Sequence, residues 1–294
     1  MAPHTTSTPG SAASAARPRG AALACAAALA LGAAACGRAC AADPPARPAA
    51  TRGAKADVAD AEAGAASDAG RAPAPPADGR ETEGQIDGES YRMRLFGYDL
   101  ASTELSIVDV EMKSDLAPVV SADARALFAT NGGFFGKQNE PVGLAESGKK
   151  RLAGFSRAMS GGVVTVDEGR ASLTSTESFD PAARHDFALQ CKPRLVVAGA
   201  VNIRSDDGKR AERTALCLRR GGREVVFALV VNAQGGPSLL ATAKLLAEVG
   251  CEDALNLDGG PSTGAAWREG ALVQSAPPRG GIRHAVVVRK KAEP

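Results

Sequence analysis

Apolar and polar positions divide the chain near residue 90. From Tyr91 onward apolar residues alternate with polar ones: Tyr91, Met93 and Leu95, then Leu105-Ser106-Ile107-Val108-Asp109-Val110, which predicts two strands. Ala126–Thr130 predicts another, with a short helix over Pro118–Arg125 leading into it. Gly162–Val166 and Ala171–Thr174 flank Asp167-Glu168-Gly169, the pattern of a hairpin. Leu195–Ala198 turning at Gly199, Thr214–Leu218, and Glu224–Val231 after Gly221-Gly222 predict further strands. One segment has clear helical spacing, Ser238–Val249. Leu239, Ala243, Leu246 and Val249 repeat along one face, Ser238 suits the N-cap and Gly250 the stop. It feeds a predicted half-buried strand in which Leu255 and Leu257 alternate with Asn256 and Asp258, and Ile282–Val288 closes the chain as a last strand. Many strands and few helices, not alternating one for one, predict an α+β domain of mostly antiparallel or mixed β-sheet with a few packed helices.

Composition sets where that domain begins. No Phe, Trp or Tyr precedes Tyr91, and the first ninety or so residues are dominated by Ala, Pro, Gly and short polar side chains. Such a segment buries too little apolar surface to offset chain entropy. Residues 43–85, with Pro44-Pro45, Pro48 and Pro73-Ala74-Pro75-Pro76, are therefore expected to form a disordered linker, and 86–294 the folded domain. Residues 1–42 have export form. Arg17 and Arg19 precede an apolar run, Ala21–Ala35, of signal-peptide length and too short to cross a bilayer. Ala33-Ala34-Ala35-Cys36 resembles a bacterial lipobox, although Ala33 stands where that motif usually has Leu. The resemblance implies lipidation of Cys36 and a periplasmic or surface lipoprotein of the cell envelope; cleavage nearby, for instance after Ala41, and simple secretion is the alternative.

Charge and cysteine usage narrow the chemistry. The net charge of +2 carries no basic cluster, so nucleic acid is not expected as a partner. Cys25, Cys36 and Cys40 lie in the leader region, which leaves Cys191, Cys217 and Cys251 for the domain. Three cysteines allow at most one bridge and leave an odd thiol; Cys191–Cys217 across two strands is one pairing, with Cys251 as the rival partner. Neither their spacing nor three histidines in the whole chain suits a zinc site, so no metal or cofactor is expected, with a divalent cation left open.

Two stretches carry candidate chemistry. In Ala254–Gly264 a carboxylate, Asp258, ends a strand and is followed by Gly259-Gly260-Pro261 and the hydroxyls of Ser262 and Thr263. Glycines let a ligand approach main-chain N–H groups, and successive free N–H groups make an anion site. The other stretch repeats the design: Asn131 ends a strand and meets Gly132-Gly133, then Phe134 and Phe135, which either wall a pocket or belong to the core. Asn131-Gly132-Gly133-Phe134-Phe135, Pro141-Val142-Gly143-Leu144, Arg213-Thr214-Ala215 and Leu255-Asn256-Leu257-Asp258-Gly259-Gly260 with Ser262-Thr263 occur in one order. This resembles the phosphodiester glycosidase family, over roughly Tyr91 to Arg289, and its bacterial branch of unassigned substrate in particular.

The resemblance implies a hydrolase that cleaves between a sugar C1 and phosphate in a sugar-1-phosphodiester. Catalytic positions would be Asp258, Asn131 and Arg213, and substrate-binding positions Gly132, Gly133, Phe134, Gln190, Gly259, Gly260, Ser262 and Thr263. Whether Asp258 is nucleophile, base or electrostatic stabiliser stays open. Arg213 suits bidentate contact with phosphate oxygens. His284 stands where the family often has Asn, and Asn232 where it often has Asp. His185 suits a loop. The envelope partner would be a sugar phosphodiester or an envelope glycan such as an exopolysaccharide, and a non-catalytic glycan-binding lipoprotein is the competing class. Gly260-Pro261-Ser262-Thr263-Gly264 also matches a serine-hydrolase nucleophile elbow, which needs a helix after the serine and an acid and His beyond it; only His284 follows, and no Asp.

Overall fold

The computed structural model describes residues 78–232 and 234–292. The expected leader, Cys36 and most of the expected linker lie outside them. In chain order the strands begin with β1 (Asp78–Ile86), β2 (Glu89–Asp99) and β3 (Thr103–Asp109), then helix α1 (Ala117–Ser121) and β4 (Ala126–Asn131). There follow β5 (Ala145–Ser147), β6 (Lys150–Ala153), β7 (Gly162–Asp167), β8 (Arg170–Ser175), β9 (Phe187–Cys191), β10 (Arg194–Val197) and β11 (Ala200–Val201). The chain ends with β12 (Arg213–Arg219), β13 (Glu224–Val231), α2 (Leu239–Glu248), β14 (Asp253–Asn256), β15 (Ala265–Glu269), β16 (Leu272–Ala276) and β17 (His284–Lys290).

Among the described residues these strands form three sheets. Their orders are β1-β2-β13-β12-β14-β10-β11, β16-β15-β4-β17-β3 and β6-β5-β9-β7-β8. Every ladder is antiparallel. The β-rich α+β expectation holds, with the sheets antiparallel throughout. The hairpin expected around Asp167-Glu168-Gly169 joins β7 to β8, with Glu168 at φ 50° and Gly169 at φ 75°, the left-handed pair that suits the twist of two-residue hairpins.

One core is shared by all three sheets. Phe96 (β2), Phe128 (β4), Phe187 (β9), Phe227 (β13), Leu216 (β12) and Val286 (β17) are buried in it. Phe128 is the hub, with ring centroids 4.7 Å from Phe96 and 5.0 Å from Phe227. The opposite face of the first sheet packs on α2. Along β13, Val225, Phe227 and Leu229 enter the shared core, while Val226, Ala228 and Val230 join Ala243, Leu245 and Leu246 of α2. A strand covered on both faces carries a continuous apolar run, which is why Glu224–Val231 does not alternate. The same cover corrects the reading of the Asp258 strand as half-buried: Ala254 faces the helix, Leu255 the shared core, and Asn256 is buried too. The α2 N-cap is as expected, with Ser238 Oγ accepting from Ala241 N at 3.1 Å.

Two boundaries differ from expectation. β1 occupies residues assigned to the linker and pairs with β2 through Ile86↔Glu89. Its sequence, Asp-Gly-Arg-Glu-Thr-Glu-Gly-Gln-Ile, shows no apolar alternation because it is an edge strand with few inward side chains. Gly84 lies so close to α2 that an added Cβ would be 2.6 Å from Leu245 Cδ2. The disulfide also differs from the favoured pairing: Cys217 on β12 bonds Cys251, just beyond α2, with Cα atoms 5.5 Å apart, and Cys191 is the buried free thiol. Cys217 faces the helix layer while Cys191 faces the shared core, so the two thiols cannot meet.

Non-reducing peptide mapping of the full chain should recover Cys217 and Cys251 linked, with Cys191 alkylated only after denaturation. A loop closed across 34 positions contributes about 3–4 kcal/mol by chain entropy. Cys217→Ala with Cys251→Ala should therefore lower the denaturant midpoint markedly, and an unchanged midpoint would show that the bridge adds nothing.

Candidate active site

The two glycine-rich stretches meet. Asp258 N–H donates to Gly132 O at 3.1 Å, and Asn131 Nδ2 donates to Asp258 O at 2.6 Å. Three sheets deliver these residues to one place. β4 ends at Asn131, β14 ends just before Asp258, and β9 ends at Cys191, whose thiol is near enough to Asp258 for its charge to be felt. β12 starts there with Arg213 and β17 with His284. Antiparallel pairing explains the convergence, because the end of one strand lies beside the start of the next.

Asn131 is fully buried and bonded through both its oxygen and its nitrogen. Besides the bond to Asp258 O, its Oδ1 accepts from Thr214 Oγ1 at 2.8 Å and from Gly264 N at 3.4 Å. An amide bonded in this way clamps β4, β12 and the Asp258 turn together; its oxygen is fully used, while Nδ2 spends one of its two hydrogens on Asp258 O. Gln190 is likewise internal: Oε1 accepts from Leu144 N and Ser156 N at 3.1 and 2.9 Å, and Nε2 donates to Ser156 O at 2.8 Å. Asn131 was expected at the catalytic centre and Gln190 in the substrate contacts; in the structure both brace neighbouring backbone.

The glycine backbone departs from expectation as well. Gly259 N–H donates to the Asp258 carboxylate at 2.9 Å and Gly260 N–H to Glu212 O at 2.7 Å. Ser262 and Thr263 N–H close the turn onto Gly259 O and Gly260 O. The anticipated row of free N–H groups at Gly259-Gly260 is therefore taken up by the Asp258 carboxylate and Glu212 O, ahead of a tight 3-10 turn over Gly260–Ser262. What these glycines provide is closeness: a Cβ on Gly259 would lie 2.8 Å from Glu212 O and 3.9 Å from Arg213 Cδ. Gly260, at φ 61°, holds the left-handed turn that glycine favours. On the other stretch Gly132 N–H donates to His284 O at 2.8 Å, whereas the buried Gly133 N–H has no acceptor among the described residues. Phe134 packs on the edge of the shared core, and Phe135 bridges to Pro141.

Two charges remain without counter-ions. The half-buried Asp258 carboxylate is pushed above the usual carboxylate range by burial, opposed by the Ser262 hydroxyl and Gly259 N–H that hydrogen-bond it. The half-buried Arg213 guanidinium is pushed down by burial, opposed by Asp207; its bonds are to carbonyls, Pro237 O and Lys209 O, both at 3.3 Å. Among the described residues no ion pair joins Arg213 to any carboxylate, or Asp258 to any cation. Desolvated charges held in place by uncharged groups are poised for a polar ligand. Thr263 Oγ1 is buried without a partner in the same turn.

The remaining candidates have structural partners of their own. His284 is buried with its imidazole pushed down by burial, and its carbonyl supports the Gly132 turn. His185 pairs with Asp167 at 2.6 Å and packs on Phe179. Asn232 Oδ1 accepts from Gly236 N at 2.6 Å, bracing the loop whose Pro237 carbonyl holds Arg213. Ser262 is followed by strand β15 and not by a helix, so the nucleophile-elbow context is missing. Sequence patterns gave no sign of Cys191 beneath Gly133, or of Arg279 beside the turn. Arg279 sits in a Pro-Pro-Arg-Gly-Gly run that looks like any surface loop. Among the described residues no cluster of His, Cys, Asp or Glu could hold a metal ion, and no helix is long and apolar enough to cross a membrane.

Comparison with known proteins bears on this arrangement. The phosphodiester glycosidase family profile matches residues 124–288, a span that contains both glycine-rich stretches and Arg213. No curated protein matches the sequence. Among solved structures, a hypothetical protein from Synechocystis superposes with TM-score 0.54 at 16% identity, over 72% of this chain and 61% of that one. The chain thus spans less than two thirds of that protein. The catalytic domain of zebrafish N-acetylglucosamine-1-phosphodiester alpha-N-acetylglucosaminidase, auto-inhibited by its pro-peptide, superposes with TM-score 0.54 at 17% identity, over 72% of this chain and 82% of that one. At such identities the likeness is one of fold.

Proposed function

Because the chain belongs to the phosphodiester glycosidase family, we propose that the Asp258 site hydrolyses the bond between a sugar C1 and a phosphate oxygen. The observation that carries this reading is the pair of half-buried, unneutralised charges on either side of Gly259, Asp258 and Arg213. A sugar phosphodiester has matching parts: a C1 that becomes positive as its bond breaks, and a phosphate that is negative throughout. Asp258 stabilises the charge at C1, and Arg213 holds the phosphate oxygens as they receive the electron pair of the broken bond. Water supplies the new C1 hydroxyl and releases a proton. A phosphate ester leaves without protonation at neutral pH, so one carboxylate meets the need where ordinary glycosidases use two.

Purified protein incubated with N-acetylglucosamine-1-phosphate diesters and with nucleotide sugars should release free sugar. Arg213→Lys should raise KM about tenfold, because a point charge cannot reproduce the planar fork. Absence of release from every sugar phosphodiester, alongside measurable glycan binding, would instead favour a non-catalytic glycan-binding protein.

An envelope lipoprotein is part of the same proposal, supported by Arg17, Arg19, the Ala21–Ala35 run and Cys36. Cys36→Ser should move the protein from the membrane to the soluble fraction. Unchanged membrane association, with no lipid mass on the wild type, would end that part of the reading.

A further inference from the structure

We propose that Arg279 is a specificity-determining residue of the same site, selecting substrates whose leaving part carries a second negative charge beyond the phosphate. The inference rests on the reading of Asp258 and Arg213 as a sugar-phosphodiester site.

The loop before β17 is fastened directly onto the Asp258 turn. Arg279 N–H and Gly280 N–H both donate to Pro261 O, at 2.8 and 2.9 Å. Pro278 fills the space beside Gly264, where an added Cβ would be 2.3 Å from its ring, so Gly264 has to be glycine for the loop to seat. The backbone of Arg279 is thereby fixed, yet its side chain is 66% exposed. That side chain reaches across the turn to the Glu212 carboxylate at 2.9 Å. Glu212 is the neighbour of Arg213 in sequence, and its carbonyl receives Gly260 N–H at 2.7 Å. Two guanidinium groups thus flank the strand start that faces Gly259, and they differ in kind. Arg213 is half-buried and held by carbonyls; Arg279 is exposed and parked on a carboxylate.

The pair is open to solvent on the arginine side only: Arg279 is 66% exposed and Glu212 24%. The guanidinium has five N–H donors and meets Glu212 through Nη2, so an anionic group carried past Arg213 can pair with its exposed remainder while Glu212 keeps its partner. The two arginines have separate tasks: Arg213 holds the phosphate of the bond that breaks, and Arg279 senses charge further along the leaving group. A leaving part that is neutral gains nothing from Arg279, whereas one bearing a phosphate or carboxylate gains an ion pair with its guanidinium beside the turn.

A matched substrate pair tests this: N-acetylglucosamine 1-phosphate esterified to glycerol, and the same diester on glycerol 3-phosphate. For the wild-type full chain the second should have the higher kcat/KM at low ionic strength, with the advantage shrinking as salt is added. Arg279→Ala should cut the ratio of the two kcat/KM values about tenfold, through KM, and Arg279→Lys should retain most of it. An arginine that only fastens the loop would lower both substrates alike and leave the ratio unchanged, and that result would overturn the proposal. Calorimetric binding of the two diesters is measured in parallel on both proteins. Wild-type binding with an Arg279-dependent ratio but no sugar release would refute hydrolysis and leave the selectivity standing; binding with equal affinity, or no binding to either, would refute the selectivity itself.

Discussion

Asp258→Asn should fold as well as the wild type and lose on the order of a hundredfold or more in turnover of a sugar phosphodiester. The asparagine keeps the size of the side chain and can still accept from Gly259 N–H, which lies 2.9 Å from the carboxylate. On the proposed mechanism it removes the negative charge opposite C1, the part of the site that matters only as the bond breaks. Stability separates this from damage to the fold. Burial raises the Asp258 pKa above its ordinary 3.8. A raised carboxylate pKa means that the native state binds the proton more tightly than the unfolded chain does. The resulting stabilisation is fully present below the unfolded pKa and is lost as pH rises through the native one. At neutral pH the buried charge is a liability, so the asparagine variant should be no less stable than the wild type and should lack this fall in stability with pH. Chemical denaturation across that range reads the stability, and sugar release reads the turnover. The acid limb of the wild-type pH–rate profile should lie above the ordinary carboxylate range for the same reason. Full activity in Asp258→Asn would remove the carboxylate from the mechanism.

Asn131→Ala should fail differently, by stability first. The substitution leaves Asp258 O, Thr214 Oγ1 and Gly264 N without their partner in a fully buried place. Unpaired buried groups cost about 1–3 kcal/mol each before relaxation or water entry, so a total loss of about 3 kcal/mol is expected. Turnover should fall as well, because the Asp258 turn is hung on this amide. Hydrogen exchange supplies the distinguishing measurement. Amides of residues 258–264 should lose protection in Asn131→Ala and keep it in Asp258→Asn. Retained protection and stability in Asn131→Ala, together with lost activity, would instead make Asn131 a direct participant in the chemistry.

The contrast between these two residues marks what can be read along the chain. Asn131 and Asp258 are equivalent in sequence, each a polar residue at a strand end before two glycines, yet one is buried and tied to three other segments and the other keeps an unneutralised charge. Those ties depend on Thr214 and Gly264, which are brought in by other strands. Gln190 and the Gly260 amide belong to the same case: the family likeness pointed to ligand contact for the one and the glycine pattern for the other, and partners distant in sequence had already satisfied them.

By itself the sequence determined the α+β class, the main strands, the α2 helix with its Ser238 cap, and the two stretches that carry the family likeness. These follow from local rules: apolar periodicity, caps and turn residues act within a few positions of one another. Tertiary structure alone decided that β1 belongs to the sheet, that Cys217 bonds Cys251, and that Arg279 lies over the Asp258 turn. An edge strand needs only a partner's hydrogen bonds, a disulfide needs two thiols on one face, and a loop needs a place to dock. None of those requirements leaves a periodic trace in the chain, because each is met by residues that only folding brings together.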